Sequence, residues 1–526
     1  MALPDVDFKK IREHDGSHDM AFEELCCQLA ALEPRPAAAE HHRKGRGADA
    51  GVECFTRFPG GEETGWQAKY YWDVDSLISA LNVSIDRALT KHPKLNTYVV
   101  CIPFDFSDAR TGKGETPLGK WQKWRDKWVA EAAKSCRKLS IELWSASALR
   151  ERLTRDGPVY AGRVLYWFNE QPLTSLWFRQ KFEASEADLG SRYTAETSIT
   201  LPIRRALLGF ARDPALHHQI EAWARDVSRH GQSTIASSER LAAVSVPMPT
   251  GLAEALVNLK AVLPSQPLAP SQMYPVKAWR DALDAMGRAV DGVLTWLWGD
   301  LPNSHANREL QERAYRDIRK LRDIVASMQG EIDGEDWAFV NQRQILVHGE
   351  GGVGKSHLLA DVVAYQIGRR RPAVLLLGQN FVLGNPWDQV IRDLDLPAGT
   401  SAEHFLGALD AAAQAAGVRG LILIDALNER LGVTLWPDRL AGFLKKVETF
   451  PHLGIVISCR TTYLPHVIPE SLTEDVLPRL RHRGFGSEDA RAYLKARGFV
   501  LPGAPVPAPE LNIPLFLKSL CDALIK

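Results

Sequence analysis

The stretch Gly349-Glu350-Gly351-Gly352-Val353-Gly354-Lys355-Ser356 has the spacing G-x-x-x-x-G-K-[ST]. Glycines at these places let backbone N–H groups turn toward phosphate oxygens, and a helix starting there adds the positive end of its dipole. The flanks agree: Ile345-Leu-Val is a short apolar run before the loop, and His357-Leu-Leu-Ala opens a helical pattern after it. Lys355 is positioned to reach β- and γ-phosphates, and Ser356 to give its hydroxyl to Mg²⁺. Glu350, Val353 and His357 complete the candidate binding loop.

Two further runs supply the groups such a loop needs. Leu421-Ile-Leu-Ile-Asp425 reads as a buried strand ending in an acid, placed to hold Mg²⁺ through water; the plainer alternative is a helix-capping aspartate. Glu429 follows in Asp425-Ala-Leu-Asn-Glu429, either orienting an attacking water or standing as a solvated loop acid. A third run, Gly454–Ser458, leads into Cys459-Arg460, where Arg460 either senses the γ-phosphate or makes a surface ion pair.

A second constellation lies near the N-terminus. Phe22-Glu23-Glu24-Leu25 begins an amphipathic helix, Gly45-Arg-Gly-Ala-Asp49-Ala-Gly-Val-Glu53 gives a Gly-rich turn with two acids, and Gly65-Trp-Gln67-Ala-Lys69 follows. Two residues apart on a strand, Gln67 and Lys69 share a face. Asp49, Glu53 and the Gln67 carbonyl are hard oxygen ligands for Mg²⁺, which would polarise a phosphodiester, and Lys69 would stabilise the developing charge. Ordinary surface ion pairs are the alternative. Basic residues precede the acidic turn at His41-His-Arg-Lys44 and Arg46, and Lys113, Lys120, Lys123, Arg125, Lys127, Lys134, Arg137 and Lys138 lie in or beside a helical stretch opposed only by Glu115, Asp126 and Glu131. They form either a DNA-phosphate face or a solvated helix surface. Trp121, Trp124 and Trp128 at i, i+3, i+7 read as a core stripe rather than a base-stacking platform.

The elements that must carry these residues follow from pattern. From Gln344 onward, short apolar runs (Gln344–Val347, Ala373–Leu377, Leu421–Ile424, Gly454–Ser458) alternate with helical stretches, which implies a parallel sheet flanked by helices. Four zones result, making an α/β protein: an α/β domain at 1–170, a mainly helical linker at 171–335 with Pro-rich breaks at Val246–Pro249 and Leu263–Pro275, an α/β core at 336–480, and the start of a helical domain at 481–526. The periodicity of Leu310, Tyr315, Ile318, Leu321 and Ile324 makes Arg308–Gln329 a helix.

Composition excludes several classes. With 526 residues, 45% apolar and 24% charged, the chain is ordinary globular protein, and 64 basic against 64 acidic residues give no net field toward any partner. Seven cysteines without a C-x-x-C pair argue against a disulfide framework or structural zinc, and the adjacent pairs His41-His42 and His217-His218 lack zinc spacing. No apolar run approaches the ~18 residues of a membrane span, so a cytoplasmic protein is expected.

From about Trp337 to the end, the sequence resembles the signal-transducing STAND NTPases, near their NACHT-like branch. Asp425-Ala-Leu-Asn-Glu429 looks like that branch's paired acids, with Asn428 where aspartate is common, and Arg460 like its arginine after the third core strand. Asn512-Ile-Pro514 looks like the motif whose proline packs on the nucleotide. STAND proteins continue into a winged helix and a repeat sensor, so a chain ending soon after Pro514 is expected to be truncated.

Residues 20–150 resemble the Mrr-like branch of the PD-(D/E)xK nucleases: Glu23 matches the helix acid, Asp49 the first acid, and Gln67 and Lys69 the Q-x-K motif, while Glu53 stands where aspartate is expected. That region includes the strands Thr97–Ile102 and Ile141-Glu-Leu-Trp. The combination is similar to prokaryotic antiviral STAND proteins. It implies ATP and Mg²⁺ as cofactors, an invader (phage) protein as trigger, homo-oligomerisation, and cleavage of double-stranded DNA without a membrane partner. An ATP-dependent restriction-type enzyme triggered by DNA, or a nucleotide-gated scaffold with an inactive effector, remain the alternatives.

Overall fold

Where β-branched runs alternate with amphipathic stretches, two five-stranded sheets form. The computed structural model describes residues 5–43, 50–108, 115–169, 171–195, 201–243, 249–265, 267–299, 308–499 and 509–525. The chain begins with α1 (His18–Leu32), β1 (Glu40–Arg43), β2 (Cys54–Arg57), β3 (Glu63–Ala68), α2 (Val74–Lys91), β4 (Leu95–Cys101), α3 (Pro117–Lys134), β5 (Ser140–Trp144), α4 (Ala146–Leu153) and α5 (Pro158–Phe168). A helical run follows: α6 (Ser175–Leu189), α7 (Pro202–Phe210), α8 (Ala215–Ala242), α9 (Leu252–Val262), α10 (Val276–Gly299), α11 (Arg308–Ile332) and α12 (Glu335–Ala338). Then come β6 (Gln344–Gly349), α13 (Lys355–Gly368), β7 (Ala373–Leu377), α14 (Pro386–Asp393), α15 (Ala402–Ala416), β8 (Gly420–Asp425), α16 (Gly432–Glu448) and β9 (Leu453–Arg460). The chain closes with α17 (Leu464–Val467), β10 (Arg479–Arg481), α18 (Ser487–Ala496) and α19 (Pro514–Ile525).

Packing divides the chain into two units, Met1–Phe178 with Trp387–Ala416, and Arg179–Pro386 with Gly417–Lys526. In the first unit the sheet order is β1-β2-β3-β4-β5, antiparallel through β3 and parallel from β3 to β5. One face, carrying Trp66, Ala68, Val99 and Cys101, packs against Phe22, Leu25 and Leu29 of α1 and Trp167 of α5. The other, with Tyr98, Val100 and Ile141, packs against Leu77, Leu81 and Ile85 of α2 and Trp121 and Trp124 of α3. Helix α1 starts before the expected Phe22, because the Ser17 hydroxyl accepts from the Asp19 and Met20 N–H groups and caps it.

Helix α15 belongs to this unit although it lies in sequence between two strands of the second sheet. It meets α5 at a Gly162–Gly407 contact: a Cβ on Gly162 would stand 2.1 Å from the Gly407 carbonyl carbon. The buried Arg163 and Asp410 lie 3.8 Å apart beside it, and Gln28 of α1 donates to the Ala411 carbonyl at 3.1 Å. The expected continuous core at 336–480 is thus not a packing unit.

The second unit holds a fully parallel sheet in the order β10-β6-β9-β8-β7. The boundary expected at 335 is not a boundary of packing either. Phe182, Leu189, Tyr193, Ala206, Leu207 and Phe210 share one core with Ile345, Val347, Leu421 and Val456. Helices α8 to α11, with Trp337 of α12, have a separate core around Trp223, Trp279, Met286 and Leu321, and α18 and α19 share a small one around Tyr493, Leu494 and Leu517. The buried Arg419, just before β8, donates to the carbonyls of Phe210 and Gln342, both at 2.5 Å, and so binds α7 to the sheet. Among the described residues, no helix is long and apolar enough to cross a membrane.

The Gly162–Gly407 contact generates a prediction. Gly162→Ala gains about 1 kcal/mol of helix propensity but drives a methyl into backbone, and overpacking of this kind costs about 1–3 kcal/mol. Net destabilisation is expected, with faster hydrogen exchange in both α5 and α15; unchanged protection in α15 would show that the contact is not tight.

Candidate functional site

The loop Gly349–Ser356 joins the end of β6 to the start of α13. Two of its glycines have positive φ, Gly352 at 79° and Gly354 at 102°, a region side-chain-bearing residues avoid. Gly354 caps α13, so the first N–H groups of that helix face the loop's concavity. The second unit thus has the layout of a P-loop fold: a parallel sheet, a glycine loop between strand and helix, and an acid at the end of β8.

A cavity of about 230 Å³ opens at this loop, lined by Gly351 to Leu358 together with Asp425, Asn428, Glu429, Arg460, His482 and Pro514. Gly349 and Glu350 form the loop's entry, where their carbonyls accept from Lys355 Nζ at 2.8 Å each. Lys355 is 8% exposed. Burial lowers its pKa, and Asp425 opposes that shift.

Strand order explains the acid's setting. β9 lies between β6 and β8, so Ser458 of β9 reaches Asp425: its hydroxyl donates to Asp425 Oδ1 at 2.7 Å and accepts from the Ala426 N–H at 2.7 Å. Asp425 Oδ2 is buried with no hydrogen-bond partner. A buried, unpaired carboxylate oxygen in a cavity that Ser356 also lines fits a Mg²⁺ ion with its waters.

Asn428 has a structural task, its Oδ1 accepting from the Arg460 N–H at 3.0 Å. Arg460 itself is exposed at the rim. Glu429 is half-buried and engaged: Arg192 Nη1 donates to both its oxygens, at 3.1 and 3.3 Å, while Arg192 Nη2 donates to Gln379 at 2.8 Å. Pro514 lies over the loop, 3.6 Å from where a Cβ on Gly354 would stand, and the next residue's N–H, Leu515, donates to the Gly352 carbonyl at 3.1 Å.

Sequence reading did not find several wall residues. Ser191, Arg192, Thr194, Leu201 and Arg204 come from a segment far upstream of the loop. Arg204 pairs with Asp361 of α13, and the Tyr193 ring meets His357 edge-on at 5.1 Å. His482, also unanticipated, is 3% exposed. No local motif marks any of them; each arrives through the fold.

In the first unit the structure joins two of the expected residues. Gln67, fully buried at the end of β3, donates through Nε2 to Glu53 Oε1, and its Oε1 is buried without a partner. An orphaned carbonyl oxygen beside a carboxylate suits a hard cation. Gln67 pairs in register with Val100, which places it on the face packed by α2 and α3. Lys69 is half-buried just beyond the strand, its N–H donating to the Cys101 carbonyl at 2.9 Å. Glu23 is half-buried on α1, which packs on the opposite face. The buried acid of that helix is its neighbour Glu24, paired with Arg43. Asp49, like Lys44, Arg46 and Lys113, lies outside the described residues. Among the described residues, no group of three or more His, Cys, Asp or Glu is placed to hold a metal ion.

The basic stretch is largely spoken for. Lys120 pairs with Asp75, Lys123 with Glu115, Arg125 with Asp126 and Lys134 with Glu131, while Arg137 donates to the Leu89 and Pro93 carbonyls. Trp121 and Trp124 are core, as their spacing implied.

No protein-family model matches the chain, and no curated protein matches it. Solved structures give matches. Cdc6p from Pyrobaculum aerophilum is 16% identical over 35% of this chain and 55% of its own, at a TM-score of 0.24. AMPPCP-bound DnaA from Aquifex aeolicus is 11% identical over 44% of this chain and 65% of its own, also at 0.24. Hsp104 in its closed state with ATPγS and casein is 10% identical over 82% and 72%, at 0.23. The chain thus spans about half to two thirds of the length of the first two.

The buried imidazole of His482 sets a pH dependence. Burial, helped by Lys355 and His357, lowers its pKa from 6.5 to about 4. Between these values the unfolded chain binds a proton that the folded chain refuses, so stability falls as pH drops from 6.5 toward 4, by about 3 kcal/mol at most. Urea unfolding should show this loss in wild type and a shallower one in His482→Gln; equal slopes would contradict the buried neutral ring.

Proposed function

We propose that the second unit is an ATP-binding and ATP-hydrolysing switch. The observation that carries this reading is the convergence of Lys355, Ser356 and the unpaired Asp425 Oδ2 in one cavity above two left-handed glycines. Phosphates seated there would take the N–H groups at the start of α13 and the Lys355 ammonium, which leaves the loop carbonyls to meet them. Mg²⁺, held by Ser356 and through water by Asp425, would neutralise charge on the phosphate oxygens. Water attacks the γ-phosphorus in line, the bond to the bridging oxygen breaks, and ADP leaves with inorganic phosphate. Glu429 orients that water once released from Arg192. A resting state in which this carboxylate is held by an arginine suits a switch better than a constitutive ATPase.

The first unit, in this reading, is a Mg²⁺-dependent double-stranded DNA endonuclease. The contact between Glu53 and Gln67, with Lys69 two residues on, supports it. Such a pairing of switch and nuclease serves prokaryotic antiviral defence: an invader's protein triggers ATP-dependent homo-oligomerisation in the cytoplasm, and clustered nuclease units cut DNA.

Two measurements test these readings. Lys355→Ala should abolish ATP hydrolysis, and Glu429→Gln should keep ATP binding while slowing turnover by roughly 100-fold or more; full activity in both would sink the ATPase. Separately, wild type with Mg²⁺, ATP and an invader lysate should cut linear double-stranded DNA, and Lys69→Ala should not. Equal cleavage by the two proteins would remove the proposed nuclease site.

A further inference from the structure

Outside the phosphate loop, His482 lines the cavity with a ring nitrogen turned to the loop. His482 follows β10, and its backbone is fixed to β6: its N–H donates to the His348 carbonyl at 2.7 Å. Its own carbonyl would lie 2.4 Å from a Cβ on Gly349, so that glycine admits the close approach. The ring therefore has a defined origin just beside the loop.

Its protonation pattern is fixed by a neighbour. The Gly484 N–H donates to Nδ1 at 3.1 Å, so Nδ1 presents its lone pair and the proton of the neutral ring sits on Nε2. Nε2 is the nitrogen turned to the loop, 3.5 Å from where a Cβ on Gly354 would stand. Gly354 is the N-cap of α13, the place where anions collect at a helix N-terminus. His482 is nearly fully buried and lines the same cavity as Lys355 and Ser356.

We infer that His482 is a phosphate-contact residue of this cavity, its Nε2–H donating to the phosphate chain of a nucleoside di- or triphosphate seated on the loop. The inference rests on the nucleotide reading given above and assigns a further residue to it. Proton transfer is excluded for this ring: its lone-pair nitrogen is occupied by Gly484, and the other already carries hydrogen. The same geometry excludes metal ligation through Nε2.

The contact also has a route outward. The residue after Gly484 ties the segment to the turn just before α19, because the Phe485 N–H donates to the Asn512 carbonyl at 2.9 Å. Pro514 and Leu515 touch Gly354 and Gly352 from that side. A phosphate that draws on His482 thus acts on both stretches that cover the loop.

The test is titration calorimetry of the full chain with ATP, ADP and adenosine, for wild type, His482→Ala, His482→Gln and Lys355→Ala. His482→Ala should weaken ATP and ADP by roughly 10- to 100-fold, the size of one hydrogen bond to a charged group, and leave adenosine unchanged. His482→Gln, which keeps an N–H donor, should recover most of the loss. In ¹⁵N-histidine-labelled wild type, the protonated Nε2 signal of His482 should move with ADP and not with adenosine. Unchanged ATP and ADP affinity in His482→Ala, an equal loss for adenosine, or a proton on Nδ1 would overturn the inference. If His482→Ala does not fold, the labelled wild type decides. Wild type that binds no nucleotide would overturn the nucleotide reading itself, whereas nucleotide binding lost in Lys355→Ala and kept in His482→Ala would overturn this inference alone.

Discussion

A buried ammonium must place its protons on acceptors, and that requirement organises the second unit. Lys355 is almost fully enclosed, and burial works against its charge. It is held by two carbonyls of its own loop and by the field of Asp425. The loop's shape, with left-handed glycines at 352 and 354, keeps those carbonyls within reach. A phosphate is a stronger acceptor for the same proton donors, so the lysine stores a preference for an anionic ligand that nothing within the loop satisfies as well.

The rest of the site is arranged by strand order. With β9 between β6 and β8, Ser458 can hold one oxygen of Asp425 and leave the other unpaired, and Asn428 can fix the backbone of Arg460. The upstream segment around Arg192 enters the same core through Tyr193 and Phe182 and brings an arginine to Glu429. The loop groups and Glu429 are therefore held by different parts of the chain. In the proposed reading, binding can be complete while hydrolysis waits on the Arg192–Glu429 ion pair.

The local part of this was legible in the sequence. The phosphate loop, the strand ending in Asp425 and the strand leading to Arg460 each lie within a few residues, so spacing alone placed them. Asn428 was noticed as a departure, and the structure gives it a backbone to hold. Ser458, His482, Arg192 and Arg204 were not legible, because strand order and a distant segment bring them in and periodicity carries no such information. Helix α15 was equally opaque: a helix between two strands reads the same whichever unit it packs with, and the Gly162–Gly407 approach, with the contacts of Arg163 and Gln28, fixes its side. In the first unit the spacing of Glu53 and Gln67 led to a real contact, while on α1 pattern could not tell Glu23 from the buried Glu24.

The most direct test of the account is an experimental structure of the protein with a non-hydrolysable ATP analogue and Mg²⁺. The account predicts phosphates between Gly351 and Ser356, with Lys355 Nζ moved from the Gly349 and Glu350 carbonyls onto the phosphate oxygens. Lys355 still bound to those carbonyls, with the nucleotide absent or bound elsewhere, would contradict it.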